Sequence, residues 1–226
     1  GLTAHVRKPI AGRIAMAVQR ATRYAALRAK PNRDKKIAIV FYNYPAGKAN
    51  IGASYLNVAE SLALILQRLK AEGYSLGPAD LSSAAVLTAI TEKARNVGGY
   101  APGELNALVE KGSAVQVGMA QYKQWLNGFA PNFRAKLLKD WGPPEQAKAM
   151  AVGAGSNRAF VIPAVQFGNI TLMPQPARGW GEDPDKMYHA KDLAPPHQYA
   201  AAYAWLCHGL RADAVVHVRT HGRPEW

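Results

Sequence analysis

The chain has 226 residues, of which 49% are hydrophobic, a size that suits one large α/β domain or two small ones. It contains no run of about 20 apolar residues, and its first residues do not resemble a secretory signal, so a folded cytoplasmic protein without a membrane span is expected. Its single cysteine, Cys207, excludes an intramolecular disulfide and a thiolate metal cage.

Positive charge is concentrated in the first 36 residues, which hold ten Lys and Arg side chains and one acid, Asp34. They carry nine of the thirteen net positive charges. Such a segment can attract nucleic acid or an anionic surface, but no nucleic-acid-binding module is recognisable and no nucleic-acid partner is predicted. We interpret residues 1–34 as a basic, solvated helical segment. Four apolar residues recur in it at helical spacing, namely Ile14, Val18, Ala21 and Ala25.

The apolar run at residues 35–42 predicts a buried strand of the kind found in parallel sheets. A loop with proline and glycine follows it, and then a helix that begins at a capping box of Asn57 and Glu60 and ends near Gly73. A strand, a glycine-bearing loop and a helix in this order open a βαβ unit. We therefore expect residues 35–226 to form an open, Rossmann-like α/β sheet with helices on both faces.

Residues from about 80 to 155 have a weaker pattern, in which helix-like runs alternate with Gly and Pro, and a helical stretch is expected there. Farther along, apolar runs predict two short strands at 159–166 and 169–173 around a turn. Helical spacing predicts a helix over 197–210, and the apolar run at 212–218 predicts a final strand.

Common phosphate-binding and hydrolytic signatures are absent from the sequence. Gly47 and Lys48 follow a predicted strand, but Tyr42 and Ala49 replace the glycine and the hydroxyl residue that a nucleotide-binding loop requires. The sequence also lacks a dinucleotide fingerprint, a nucleophile elbow and a zinc-protease helix. If ATP is used, another protein must bind it.

Histidine is concentrated near the C-terminus, where five of the six histidines lie within the last forty residues, together with Glu225. Because side chains alternate along a strand, His217 and His221 would point to the same side and could reach one pocket. Open α/β sheets bind ligands at the carboxyl ends of their strands. Taken singly, each histidine could instead bond loop backbone groups. The five are His189, His197, His208, His217 and His221.

Several sequence motifs follow one another along nearly the whole chain. They begin with KIAIVFYNYP and GKANIG and continue through later segments. Together they resemble the cobaltochelatase and magnesium-chelatase large-subunit family. Residues 196–199 and the final Glu225-Trp226 pair resemble the cobalt type more than the magnesium type. Two positions depart from the family, since Arg219 replaces a usual glycine and Pro224 an apolar residue. The motifs occupy 36–45, 47–52, 167–169, 175–179, 188–189, 195–199, 212–217, 221–222 and 225–226.

The resemblance implies one portion of a larger multidomain subunit, because family members are several times longer than this chain. It implies the tetrapyrrole-binding large subunit of an ATP-dependent metal chelatase, which inserts cobalt(II) into hydrogenobyrinic acid a,c-diamide in cobalamin biosynthesis. Two alternatives remain, a magnesium chelatase subunit acting on protoporphyrin IX and a noncatalytic tetrapyrrole or metal carrier. The implied partners are ATPase and adaptor subunits that use the ATP. No tightly bound cofactor is expected, and the isolated portion is expected to be inactive.

Metal insertion into a tetrapyrrole requires removal of water from the metal ion and of protons from two pyrrole nitrogens. Neutral imidazole coordinates cobalt and accepts protons near neutral pH, and a carboxylate can hold a hydrated ion or act as a base. We therefore predict His217, His221 and Glu225 as catalytic and metal-binding residues, with His189 as a further metal ligand.

Substrate binding requires an apolar surface with polar groups at its rim, since corrin-type rings carry peripheral carboxylates and amides. Cations and amides would bind these groups. Aromatic side chains would cover the ring, and the candidates are Tyr44, Phe167, Trp180 and Tyr199. The predicted substrate-binding residues are Lys48, Asn50, Gln166, Asn169, Gln175, Arg178, His197 and Tyr199.

Overall fold

A computed structural model of the chain describes residues 9–43, 51–53, 55–99, 101–112, 114–179, 182–189 and 192–219. Over these residues, eight α-helices are interspersed with seven β-strands. The helices are α1 (Ala11–Ala29), α2 (Val58–Ala71), α3 (Ser83–Lys93), α4 (Pro102–Glu110), α5 (Met119–Asn127), α6 (Pro131–Trp141), α7 (Pro184–His189) and α8 (His197–Ala204). The strands are β1 (Ile37–Phe41), β2 (Ala114–Gly118), β3 (Ala151–Val152), β4 (Ala159–Pro163), β5 (Val165–Phe167), β6 (Ile170–Pro174) and β7 (Ala214–Val218).

Four strands form the main sheet, in the order β5-β6-β1-β7. Strand β1 runs parallel to both β6 and β7, and β5 runs antiparallel to β6. In this register Phe41, at the end of β1, lies opposite Pro174 of β6 and Val218 of β7. The ends of three parallel strands therefore meet along one side of the sheet, which we call the carboxyl edge.

Helices cover both faces of the main sheet, which confirms the predicted open α/β fold. In β1, Ile39 faces a core that includes Leu62 of α2, whereas Val40 faces a second core that includes Ala201 of α8. This division arises because successive side chains of a strand point to opposite faces. All four residues are almost completely buried. Burial of each larger aliphatic side chain contributes roughly 1.5–3 kcal/mol to folding.

A second, antiparallel sheet has the order β2-β4-β3 and was not predicted. The region from about 80 to 155 does contain four helices, but it also contains β2 and β3. The single strand expected over 159–166 is wrong, because β4 and β5 belong to different sheets. Strand β4 ends at Pro163, whose missing N–H prevents it from donating to a ladder. The chain therefore changes sheets directly after this proline.

Two local features fix the ends of elements in the main sheet. At the start of α2, the Asn57 side chain accepts a hydrogen bond from the Glu60 N–H at 3.1 Å, as the capping sequence predicted. In the turn between β5 and β6, Gly168 has a φ of 55°, and a Cβ there would lie 2.5 Å from the Ser75 carbonyl oxygen. Glycine is therefore required at this turn.

Helix α8 ends in a wide, π-helical turn over Trp205–Gly209. The Leu210 N–H donates to the Trp205 carbonyl at 2.8 Å, a bond that spans five residues instead of four. Any side chain at Gly209 would collide with the indole ring of Trp205. The predicted helix over 197–210 thus contains an irregular last turn.

Helix α1 lies largely exposed and is tied to the sheet close to its C-terminal end. Lys30, which follows α1, forms a 2.7 Å ion pair with Asp213, and the Lys36 N–H donates to the same carboxylate at 2.7 Å. Burial opposes ionisation of Asp213, but the bonds from Lys30 and Lys36 hold its pKa below the ordinary value. No helix in the described part of the chain is long and apolar enough to span a membrane.

Candidate functional site at the carboxyl edge

Five side chains gather at the carboxyl edge, and we call them the edge cluster. Gln175 follows β6, His217 lies in β7, and Arg219 directly follows β7. Tyr199 and Tyr203 are four residues apart in α8, a spacing that places both on one side of the helix. Their rings stack, with centroids 5.0 Å apart and planes at 26°. Parallel strands and one packed helix therefore bring together residues from three parts of the sequence.

Gln175 is the centre of the edge cluster. Its side-chain amide donates to the Tyr199 hydroxyl at 2.7 Å, and the Tyr203 hydroxyl donates to its amide oxygen at 3.1 Å. Its backbone N–H donates to the Phe41 carbonyl at 2.7 Å, which continues the pairing of β6 with β1. The side chain is thus held in one orientation by two tyrosines, and its position follows directly from the sheet.

His217 stacks on Tyr203, with ring centroids 6.2 Å apart and planes at 16°. The histidine side chain is exposed, but Tyr203 covers one face of its ring. This partial desolvation and the nearby Arg219 charge lower the pKa of His217 below its ordinary value. The imidazole is therefore neutral at pH 7, the state that can accept a proton or bind a metal ion.

The two tyrosine hydroxyls stay protonated near neutral pH. Burial raises the pKa of both Tyr199 and Tyr203. The positive charges of Arg219 and Arg178 act on Tyr199 in the opposite direction but do not reverse the shift. The edge cluster thus combines neutral hydrogen-bonding groups with the guanidinium group of Arg219, and the charge of Arg178 also acts on it. This combination is suited to bind an anionic or amide-bearing molecule.

A buried pair of asparagines holds the strand ends beneath the edge cluster. The Asn96 side chain donates to the Asn43 carbonyl at 3.1 Å and to the Gln175 carbonyl at 2.7 Å. The Asn43 side chain in turn accepts from the Asn96 N–H at 2.8 Å. Both residues are almost completely buried, so these bonds fix the ends of β1 and β6 against each other. Sequence reasoning missed this pair, although a polar residue at the end of an apolar strand was a usable signal.

An apolar groove of about 280 Å³ borders the edge cluster along α8. Tyr199 and Tyr203 belong to both, so a ligand in the groove would reach the polar groups of the cluster. The groove is slightly smaller than the range of roughly 300–1,000 Å³ that is usual for small-molecule sites and can cover only part of a macrocycle. Its lining consists of Phe129, Phe133, Pro195, Tyr199, Ala200, Tyr203, Ala204, Cys207 and His208.

His197, predicted to bind substrate, lies in the core and is only 1% exposed. Its Nδ1 is 2.8 Å from the Tyr122 hydroxyl and its Nε2 is 2.8 Å from the Gly142 carbonyl. A carbonyl only accepts, so Nε2 carries the proton and Nδ1 accepts from the tyrosine. Burial lowers the pKa of His197, against opposing effects of Gly142 and Glu145. With both nitrogens engaged inside the protein, His197 serves as a structural residue in this fold.

Three other predicted ligand contacts lie away from the carboxyl edge. Gln166 is exposed in β5, and Phe167 is buried in the core. Asn169 precedes β6 at the opposite end of the parallel strands, where its side chain donates to the Arg33 carbonyl at 2.9 Å. The length of β6 separates Asn169 from Gln175 by about 20 Å. The structure therefore does not join these three residues to the edge cluster.

Most predicted metal-binding residues lie outside the described part of the chain. These are His221 and Glu225, together with the side chain of His189, which lies in α7. Among the described residues, no three His, Cys, Asp or Glu side chains come together as a metal-binding group. The predicted ligand contacts Lys48, Asn50, Tyr44 and Trp180 also lie outside the described residues.

Comparison with known proteins identifies the family of the chain. A family model described as CobN/Magnesium Chelatase matches residues 2–226. The chain belongs to the CobN/magnesium chelatase family. This family member is 33% identical over 207 residues to the aerobic cobaltochelatase subunit CobN of Pseudomonas aeruginosa, with 91% of this chain and 16% of that protein covered. It is 32% identical over 217 residues to the chloroplastic magnesium-chelatase subunit ChlH of Oryza sativa, with 95% and 14% covered.

A solved structure agrees with the family assignment. The catalytic subunit of cobaltochelatase from Mycobacterium tuberculosis matches this family member with a TM-score of 0.74 and 30% identity. The match covers 98% of this chain and 18% of that one. The chain thus spans 14 to 18% of the length of the three relatives. The predicted family is confirmed, and the chain corresponds to one portion of these larger subunits.

Proposed function

We propose that this CobN/magnesium chelatase family member supplies part of the tetrapyrrole-binding surface of a metal chelatase. In this proposal the complete subunit inserts cobalt(II) into hydrogenobyrinic acid a,c-diamide in cobalamin biosynthesis. ATP is hydrolysed by separate ATPase and adaptor subunits. Cobalt(II) is a substrate of the reaction, and the chain needs no tightly bound cofactor of its own.

The edge cluster is the observation that supports this proposal. Tyr203 joins an apolar groove to a set of hydrogen-bonding groups, and it also stacks on the one described histidine of the predicted catalytic set, His217. A flat ring placed against the groove would bring its peripheral carboxylates and amides towards Gln175, Arg178 and Arg219. Aromatic rings prefer such stacked contacts, and guanidinium groups bind carboxylates through paired hydrogen bonds.

His217 has the protonation state that metal insertion requires. Its lowered pKa keeps the imidazole neutral at pH 7, so the ring can accept a pyrrole proton or bind the incoming metal ion. We assign the same chemistry to His221 and Glu225, with His189 as a further ligand. Lys48 and Asn50 would bind peripheral groups of the ring, because they come soon after β1 in the sequence and β1 ends at the carboxyl edge.

A noncatalytic tetrapyrrole carrier is a second candidate, and Arg219 is the observation that favours it. Its guanidinium lies close enough to His217 to lower the pKa of the imidazole, and it would repel a metal ion in the same way. The choice between cobalt and magnesium is also part of the proposal. The identities to the CobN and ChlH relatives are 33% and 32%, so overall similarity does not separate the two metals.

Absorbance titrations of the chain with hydrogenobyrinic acid a,c-diamide and with protoporphyrin IX test the proposal. We expect tighter binding of the corrin precursor, and we expect Tyr203→Ala to weaken it about tenfold because the variant removes groove wall and stacking partner together. Tyr55→Ala is the matched control, since Tyr55 is fully exposed outside the cluster. Equal binding by the Tyr203→Ala variant and the unmodified chain would contradict a site at this edge.

Metal insertion separates the enzyme from the carrier. Cobalt(II) and the ATPase partners are added to a complete subunit in which residues 1–226 replace the corresponding portion, and the absorbance of the metallated ring is followed. Insertion that is lost in His217→Ala supports the chelatase. Ring binding without insertion supports the carrier.

A further inference from the structure

A second cleft, of about 520 Å³, lies on the face of the main sheet opposite His217. Its floor is formed by alternate residues of β1 and β7, and α1 and α2 supply its walls. This volume lies within the range of roughly 300–1,000 Å³ that is usual for small-molecule sites. The lining is almost entirely apolar or aromatic, with two cations, and consists of Tyr24, Leu27, Arg28, Lys35, Ile37, Ile39, Ile65, Leu69, Tyr74, Ala214 and Val216.

Lys35 is the unusual member of this lining, because its residue is only 9% exposed. Its ammonium group donates to the Asn32 side-chain oxygen at 2.7 Å and lies 5.6 Å from the centre of the Tyr74 ring. Both of these partners are neutral. An ammonium group has three donors, and burying a charge is costly unless it is paired. The described contacts therefore give the Lys35 ammonium no anionic partner.

Two carboxylates of neighbouring segments pair with other cations and not with Lys35. Asp213 binds Lys30 at 2.7 Å, and Glu72 binds Arg68 at 2.6 Å. Over the described residues, no carboxylate lies within 4.0 Å of Lys35. Arg28, the other cation of the lining, likewise has no ion pair in that part of the chain. The cleft thus combines an almost entirely apolar lining with two cations that have no ion pair among the described residues.

We propose that this cleft binds a small amphipathic carboxylate, in which an apolar body lies on the sheet and one anionic group pairs with Lys35. The apolar floor accounts for the body of the ligand, because transfer of each CH₂ group from water into such a site is favourable. The ammonium of the nearly buried residue Lys35 accounts for the anion, because a hydrogen bond to a charged group is stronger than one between neutral groups. The site is separate from the edge cluster and does not depend on the proposed chelatase role.

Calorimetric titration of the chain with octanoate tests this proposal, with 1-octanol and butyrate as matched probes. Octanol keeps the chain without the charge, and butyrate keeps the charge without most of the chain. We expect octanoate to bind at least about tenfold more tightly than either probe. Failure of octanoate to bind, or equal binding of octanoate and octanol, would overturn the proposal.

Two variants locate the site on the chain. Lys35→Met should weaken octanoate binding about tenfold or more. Lys36→Met is its matched control, since that lysine carries the same charge next in sequence but lies outside the cleft lining, and it should bind octanoate normally. Equal losses in the two lysine variants would show a nonspecific charge effect and refute the site.

A third variant guards against misfolding of Lys35→Met. Val216→Trp should fill the cleft, and it should be tolerated because Val216 is 42% exposed on the edge strand β7. We expect this variant to lose octanoate binding while its titration with hydrogenobyrinic acid a,c-diamide stays unchanged. Undiminished octanoate binding by a folded Val216→Trp variant would also overturn the proposal.

Discussion

Replacing His197 with Phe tests whether this histidine holds the fold together. The edge of the Tyr122 ring meets the imidazole at 89°, with ring centroids 5.6 Å apart, and Phe can keep an aromatic ring in that place. The substitution removes the hydrogen bonds of both nitrogens, to Tyr122 and to the Gly142 carbonyl. Because Tyr122 is completely buried, water cannot replace the lost partner of its hydroxyl.

The expected magnitude follows from these contacts. A buried hydroxyl left without a partner costs about 1–3 kcal/mol, and a lost hydrogen bond about 0.5–1.5 kcal/mol. His197→Phe should therefore lower the free energy of unfolding by about 2–4 kcal/mol. Adding Tyr122→Phe removes the orphaned hydroxyl. The double variant should then be less destabilised than the sum of the two single variants by about 1–3 kcal/mol.

Urea unfolding followed by circular dichroism measures all four members of this cycle, and His208→Phe provides an exposed control. A His197→Phe variant as stable as the unmodified chain would refute the structural role. Strictly additive effects of the two single variants would refute the bond between His197 and Tyr122. Either result would restore His197 as a candidate for ligand contact.

The same residue predicts a pH dependence of stability. Burial lowers the pKa of His197, so the unfolded chain binds a proton at a higher pH than the folded chain does. Stability conferred by the neutral histidine is complete above the unfolded pKa of about 6.5 and is lost as the pH falls below that value towards the folded pKa. In His197→Phe this part of the pH dependence should be absent.

Two further predictions concern the edge cluster and the β5–β6 turn. Arg219→Gly should raise the pKa of His217, because it removes a positive charge that disfavours the imidazolium. An NMR pH titration of His217 measures the shift. An unchanged pKa would contradict a position of Arg219 close to the imidazole. Gly168→Ala should lower the free energy of unfolding by at least about 1 kcal/mol in urea titrations, because the new Cβ meets the Ser75 carbonyl. Gly12→Ala in α1 has open space and should cost nothing, so equal effects would contradict the argument.

The main sheet was predictable because its central strand is apolar along both faces. All five residues of β1 are buried, and the same is true of β6. Such strands appear in a sequence as continuous apolar runs. Strand β2 carries no such run, since Gln116 is exposed and only Val117 is fully buried within it. Its short, mixed pattern cannot be distinguished from a helical segment by periodicity, and it was therefore missed.

The edge cluster was predictable only in part. Gln175 and His217 could be placed together, because Gln175 follows one strand that the sequence indicated and His217 is the next-to-last residue of another. Asn96 could not, since its bond to Gln175 spans 79 residues and depends on the packing of a region with little pattern. The sequence also did not show that His197 lies in the core whereas Tyr199 belongs to the edge cluster. Seven of the eight residues of α8 are buried, all except Tyr203, so polarity did not reveal which side of the helix faces the carboxyl edge.

The π-helical turn at Trp205–Gly209 has a consequence for how this protein can be altered. A wide turn contains one residue more than an α-helix needs, so deleting a single residue such as Cys207 would let the helix close its ordinary ladder. The segment before the deletion would then rotate by about 100° relative to the segment after it. Tyr203 would swing away from His217 while every strand kept its length. A one-residue deletion would thus separate α8 from β7 at the edge cluster more completely than substitution of Tyr203 or His217.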